Sequence, residues 1–153
     1  GNASRIYAPT SYSKIWRTVN GGTDWASLDA AGSRNWSDVD CSSDGMDVFA
    51  SVGGTSNAGM LYASHDGGDT WTELAAAGSR YWTSVSCSPD GDFVAASAYG
   101  GLLYTSRDGG ASWTEETGSS VRDWLCVDIS SNGDGLAAVA KNYTKATTAG
   151  WDY

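Results

Sequence analysis

Three arginines recur two residues ahead of a tryptophan: Arg34 before Trp36, Arg80 before Trp82 and Arg122 before Trp124. A guanidinium fork matches a carboxylate through two parallel hydrogen bonds, and an indole offers a flat face to a cation or an apolar ring. A ring of such pairs could hold a carboxylate or an acidic sugar. The same pairs could equally be architectural, each Arg stacking on its Trp or pairing with a neighbouring acid to hold a loop. The sequence leaves both readings open.

Other chemistry is sparse. His65 is the single histidine, which removes most zinc sites and any histidine-based triad. Glutamate occurs only at Glu73, Glu115 and Glu116, close behind Trp71 and Trp113. A glycosidase needs two carboxylates facing each other across a sugar, and no pair is spaced for that. No catalytic residue is assigned. Asp128 to Asp134 begins like a calcium loop, but Val139 stands where the twelfth-position Glu belongs. Ca²⁺ is kept only as a candidate at the acidic turn of Asp90 and Asp92; no metal site or other cofactor is assigned. Cys41 and Cys87 each follow their Trp by five residues and Cys126 follows its own by two, which turns it to the other side of its strand. An odd number of cysteines builds no disulfide framework, so they read as buried thiols, with a Cys126 disulfide to a neighbouring Cys as the alternative. Asn2, Asn35 and Asn142 open N-x-S/T sequons and could carry glycans in a secreted eukaryotic protein.

The elements that must position these residues are written in a repeat. Trp25, Trp71 and Trp113 are 46 and 42 residues apart, and Trp36, Trp82 and Trp124 follow each of them by 11. Ala31-Gly-Ser-Arg-Asn-Trp36 echoes Ala77-Gly-Ser-Arg-Tyr-Trp82. In the best-defined copy, strands are expected over 82–87, 93–98, 102–106 and 113–115. Turns are expected at 89–92, 99–101 and 108–110, where Asp-Gly and Gly-Gly supply positive φ. No segment has a capped 3.6-residue apolar period, so essentially no helix is expected. Four antiparallel strands every 40–50 residues predict an all-β chain of β-propeller-type blades. The 20 Gly and 8 Trp are largely accounted for by this repeat.

Ser64-His-Asp66-Gly-Gly68-Asp-Thr70-Trp71 resembles the Asp-box, or bacterial neuraminidase repeat, at every defined position. Ser106, Asp108, Gly110, Ser112 and Trp113 repeat it with Ser for Thr, and Thr18, Asn20, Gly22, Asp24 and Trp25 form a degenerate copy. Sialidases and photosystem assembly factors carry similar repeats. The resemblance implies a structural hairpin between the third and fourth strands of each blade, on the face opposite the family's active site. The sialidase catalytic set, an Arg triad with a Tyr–Glu pair and an acid Asp, has no counterpart here.

The repeat divides residues 1–153 into one domain: a partial blade at 1–30, full blades at 31–76 and 77–118, and a partial blade at 119–153. Propellers need at least four blades. Three outcomes follow: head-to-tail assembly into a ring or filament, since unpaired terminal strands invite pairing between chains; a segment of a longer repeat array; or an open, non-propeller stack. The sequence therefore predicts a non-enzymatic, secreted, self-assembling protein whose partners are copies of itself, with glycans as a further candidate partner. The alternatives are a carbohydrate-binding propeller that uses the Arg/Trp loops on glycans and a fragment of a sialidase-like glycosidase. With 18 acids against 9 Lys and Arg, the net charge of −9 argues against a nucleic-acid partner. No apolar run is long enough to cross a membrane as a helix. The polar start, Gly1 to Ser4, lacks a signal peptide's apolar stretch, which implies that any leader has been removed.

Overall fold

A computed structural model describes residues 5–141. The sequons at Asn2 and Asn142 lie outside that range, as does the polar start. Strands β1 (Ile6–Pro9), β2 (Ile15–Thr18) and β3 (Ala26–Ser27) form a three-stranded antiparallel sheet. Strands β4 (Trp36–Cys41), β5 (Val48–Val52), β6 (Leu61–Ser64) and β7 (Thr72–Glu73) form a four-stranded antiparallel sheet. Strands β8 (Trp82–Cys87), β9 (Val94–Gly101), β10 (Leu103–Ser106) and β11 (Thr114–Glu116) repeat that order. The last hairpin, β12 (Arg122–Ile129) with β13 (Leu136–Lys141), joins this third sheet through the β9–β12 pairing and makes it six-stranded.

Two details depart from the sequence expectation. Strand β9 runs through the turn expected at 99–101, because Tyr99 and Gly101 pair with Asp123 and Arg122 of β12. That pairing is supplied by a strand some 20 residues away, which local turn chemistry does not report. Three single turns of 3₁₀ helix also interrupt an otherwise all-β chain, at Asp29–Ala31, Ala75–Ala77 and Thr117–Ser119. They lead from β3 into β4, from β7 into β8 and from β11 into β12. In the first two, the amide of Gly32 or Gly78 closes the turn on the carbonyl of Asp29 or Ala75.

The core lies between sheets rather than within one. Phe49, Leu61 and Leu74 of the second sheet pack with Trp82, Val85, Val94 and Tyr104 of the third. Ile15 and Leu28 of the first sheet pack with Trp36 and Ala50 of the second. A smaller cluster joins Ala95 to Val127 and Ile129 of β12. Strand β8 is buried on both faces, so its apolar Val85 alternates with small hydroxyls, Ser84 and Ser86. Side chains also latch one sheet to the next. Tyr7 Oη donates to the carbonyls of Gly45 (2.7 Å) and Gly67 (3.0 Å), and Arg17 pairs with Asp69 at 3.0 Å.

Candidate functional site

The third-to-fourth strand hairpins are built alike. Asp66 Oδ1 accepts from the Thr70 amide (2.8 Å) and the Ser64 hydroxyl (2.7 Å), while Oδ2 accepts from Thr70 Oγ1 (2.6 Å). The Gly68 amide donates to Ser64 Oγ at 2.8 Å, and the Trp71 indole donates to the Gly68 carbonyl at 3.0 Å. Ser106, Asp108, Gly110, Ser112 and Trp113 reproduce every one of these bonds. The degenerate copy keeps the scheme with other atoms: Asn20 Oδ1 accepts from the Asp24 amide at 3.0 Å, and the Gly22 amide donates to Thr18 Oγ1 at 3.0 Å. The Trp25 indole donates to the Gly22 carbonyl at 3.2 Å. Each carboxylate thus spends its acceptors inside its own turn.

These bonds fix a pH response. Hydrogen bonds from Thr70 hold the Asp66 carboxyl down to about 2, and those from Ser112 do the same for Asp108, with Ser64 and Ser106 adding to each. A depressed carboxyl stabilises the fold above its ordinary pKa near 4 and stops doing so as the pH falls through its folded value. The urea midpoint is therefore expected to fall between about pH 4 and pH 2, over the span of the two carboxyls' shifts. The Asp66→Asn/Asp108→Asn double variant should show a flatter profile over the same range.

The Arg/Trp pairs sit within their own sheets. Arg34 lies 4.5 Å over the Tyr62 ring and 5.6 Å from that of Trp36. Arg80 lies 4.4 Å over Tyr104 and 5.8 Å from Trp82, and it pairs with Glu115 at 3.0 Å. Arg122 lies 5.8 Å from Trp124, and its Nε donates to the Ser119 carbonyl. Trp36 and Trp82 are 2 % and 0 % exposed, so their faces belong to the core, while Trp124 is only half-buried. The remaining glutamates are engaged near the fourth strands, Glu73 by Tyr62 Oη (2.8 Å) and Glu116 by Thr105 Oγ1 (2.6 Å).

The other sequence candidates are placed as follows. Asn35 donates one hydrogen of its side-chain amide to the Gly53 carbonyl at 2.6 Å. His65 is exposed, with Nδ1 2.6 Å from Asp47. The three thiols are free, and only Cys87 is fully buried; Cys41 is intermediate and Cys126 exposed, which corrects the expectation of three buried thiols. Cys126 is exposed because, among the described residues, no strand covers β12 on that side. Burial raises the Cys87 thiol, with Asp40 adding to the effect. Asp90 and Asp92 line an open cleft of about 370 Å³ with Arg107 and Asp134. Among the described residues, no group of three or more His, Cys, Asp or Glu is placed to hold a metal ion.

Sequence reasoning missed the most regular polar array in the molecule. Asp38 Oδ2 of β4 accepts from Ser84 Oγ (2.7 Å) and the Val85 amide (3.1 Å) of β8. Asp40 Oδ2 accepts from Ser86 Oγ (3.0 Å) and the Cys87 amide (2.8 Å). The pattern then steps forward: Ser84 Oγ accepts from the Val127 amide (3.4 Å), and Ser86 Oγ from the Ile129 amide (3.2 Å) of β12. Strands β4, β8 and β12 are thereby laced together by side chains. Burial raises the Asp38 carboxyl, against the lowering effect of its hydrogen bonds.

No family model matches the chain, and no curated protein matches it. Solved structures do. A GH74 xyloglucanase from Xanthomonas campestris superposes with a TM-score of 0.69 and 22 % identity, over 89 % of this chain and 24 % of that one. The GH74 enzyme of Niastella koreensis gives 0.67 and 17 %, over 86 % and 26 %. YCF48 bound to a D1 peptide gives 0.63 and 16 %, over 91 % and 46 %. The chain has a β-propeller-type repeat fold. Numbered by the repeat as propeller-type blades, the strands β4, β8 and β12 that carry the polar ladder hold equivalent first-strand positions, 46 and 42 residues apart. The chain spans a quarter to just under half of the structures it resembles.

Proposed function

We propose that the chain is a non-enzymatic, secreted Asp-box propeller segment whose role is structural, and that it assembles head to tail. One observation carries this reading. Among the described residues, the first blade (β1–β3) has the second, third and fourth strands but no first strand, while the last hairpin (β12–β13) supplies a first and a second. Each end offers what the other lacks. The hairpins support a structural role, because their carboxylates are consumed by their own turns. The buried faces of Trp36 and Trp82 weigh against a sugar platform built from the Arg/Trp pairs.

Sedimentation velocity over a hundredfold range of concentration tests the assembly. Oligomers that grow with concentration are expected, and a single monomer boundary throughout would refute it. The same material incubated with xyloglucan or a fluorogenic sialoside is expected to release no sugar; release would restore the glycosidase alternative.

A further inference from the structure

The ladder between first strands obeys one rule, which reaches both open ends of the array. Each first strand offers two side-chain acceptors to the next blade, and each following strand answers with two backbone amides. From β4 to β8 the acceptors are Asp38 and Asp40, and the amides those of Val85 and Cys87. From β8 to β12 the acceptors are Ser84 and Ser86, and the amides those of Val127 and Ile129. The spacings are those of the repeat, 46 and then 42 residues. Counting back from β8, the donor positions on β4 are Val39 and Cys41. No first strand precedes β4 among the described residues, and these two amides close locally, on Asp38 Oδ1 (2.9 Å) and Asp40 Oδ1 (2.8 Å) of their own strand. Counting forward, the acceptor positions on β12 are Cys126 and Asp128. Both are exposed, and among the described residues Asp128 has one hydrogen-bond partner, Ser86 Oγ at 3.4 Å. One end presents spare acceptors and the other presents locally capped donors.

We infer that β12 of one copy serves as the missing first strand beside β4 of a second copy, with Cys126 and Asp128 receiving the Val39 and Cys41 amides, and that a proton governs this junction. The inference rests on the head-to-tail reading above and specifies its chemistry. The proton enters because Asp128 would face the second copy's Asp40. Within the chain, the matching rungs set Asp40 against Ser86 and Ser86 against Asp128, always one carboxylate to one hydroxyl. At the junction two carboxylates meet, and like charges so placed repel unless one is protonated. The titratable and charged groups at the junction are Cys126 and Asp128 from β12, and Asp38, Asp40 and Cys41 from β4; β8 adds Cys87 beside Asp40, the turn after β4 adds Asp44, and the first blade brings Arg5 and Tyr7 against Cys41. Apolar side chains stand exposed near both ends, Leu136 and Val139 on β13 and Ile6 and Trp16 on the first blade. One strand is in excess, since β12 already carries β13 where the second copy brings β1. Assembly must release one of the two, and either exchange leaves the first-strand ladder intact.

Two variants test this. Asp128→Ser writes the hydroxyl of Ser86 into the junction and reproduces the β8-to-β12 rung, in which Ser86 meets Asp128. It is expected to tighten association roughly tenfold at pH 7 and to flatten its pH dependence, whereas wild type should associate more tightly at pH 5 than at pH 7. A variant that merely loses stability does not gain association. Asp38→Cys places a thiol where the ladder brings position 38 of one copy to Cys126 of another, as Ser84 Oγ lies 3.8 Å from Cys126 Sγ within the chain. Mild oxidation should then give a series of covalent multimers on a non-reducing gel, absent in the Asp38→Cys/Cys126→Ser control. If wild type associates but Asp128→Ser brings no gain and Asp38→Cys no multimers, the ladder junction is wrong and the assembly reading survives. If wild type and both variants stay monomeric at pH 5 and pH 7, both fall.

Discussion

Replacing Trp82 by alanine is expected to cost about 3–5 kcal/mol, a large share of the 5–15 kcal/mol that holds a typical domain. Trp82 is 0 % exposed and stands at the centre of the cluster that joins the second and third blades. Its ring meets Tyr104 edge to face, with centroids 5.1 Å apart, and its indole donates to the Gly78 carbonyl at 3.2 Å. Truncation opens a cavity between blades and orphans that carbonyl, and the close-packed sheets on either side have little freedom to close the gap. Urea unfolding should show the midpoint falling by about 2 M. The repeat supplies its own controls. Trp36 is 2 % exposed between the first and second blades and should behave like Trp82. Trp124 is half-buried and belongs to no core cluster, so Trp124→Ala should cost about 1 kcal/mol or less. Equal losses at all three positions would mean that the tryptophans act within single blades rather than between them.

The contrast among these tryptophans marks what the sequence could reveal. Their phase, and the Gly pairs of the turns, announce the blades because turn chemistry is local: a residue at φ +96°, such as Gly68, has to be written into the sequence at the turn itself. The ladder has no such local mark. Asp38, Ser84 and Cys126 occupy one structural position, yet they are a carboxylate, a hydroxyl and a thiol, and no motif links the three. Applying the 46- and 42-residue spacings to every polar residue of the first strands would have aligned them. The 3₁₀ turns were hidden because three residues show no periodicity. The full length of β9 was hidden because β12, not its own sequence, extends it. For the Arg/Trp pairs, residue type and spacing allowed both a ligand ring and a scaffold, since a cation over an aromatic ring serves either; the burial of Trp36 and Trp82, which depends on the adjoining blade, was not legible in either.

The hairpin glycines carry a second burden that a motif comparison does not show, and Gly110→Ala should reveal it. Gly110 has φ +91°, and a Cβ there would stand 2.7 Å from Leu74 Cδ1 and 3.2 Å from Cδ2. Leu74 comes from the blade before, so the hairpin is shaped to receive a neighbour's side chain as well as to turn. Gly68 repeats the arrangement, with a Cβ 2.6 Å from Leu28 Cδ1. Gly22 has the same backbone at φ +96° and nothing within 4 Å. The three positions therefore separate two costs. Gly22→Ala should carry backbone strain alone, about 1–2 kcal/mol. Gly110→Ala should add the overpacking of Leu74, about 1–3 kcal/mol more. In a double-mutant cycle, Leu74→Ala makes room for the new methyl, so the pair should cost less than the sum of its parts by about 1 kcal/mol. If Gly110→Ala costs no more than Gly22→Ala and the cycle shows no coupling, the glycine serves only the turn. If the coupling appears, these hairpins are parts of the inter-blade joint, and their recurrence follows from stacking one blade on the next, with no ligand required to explain it.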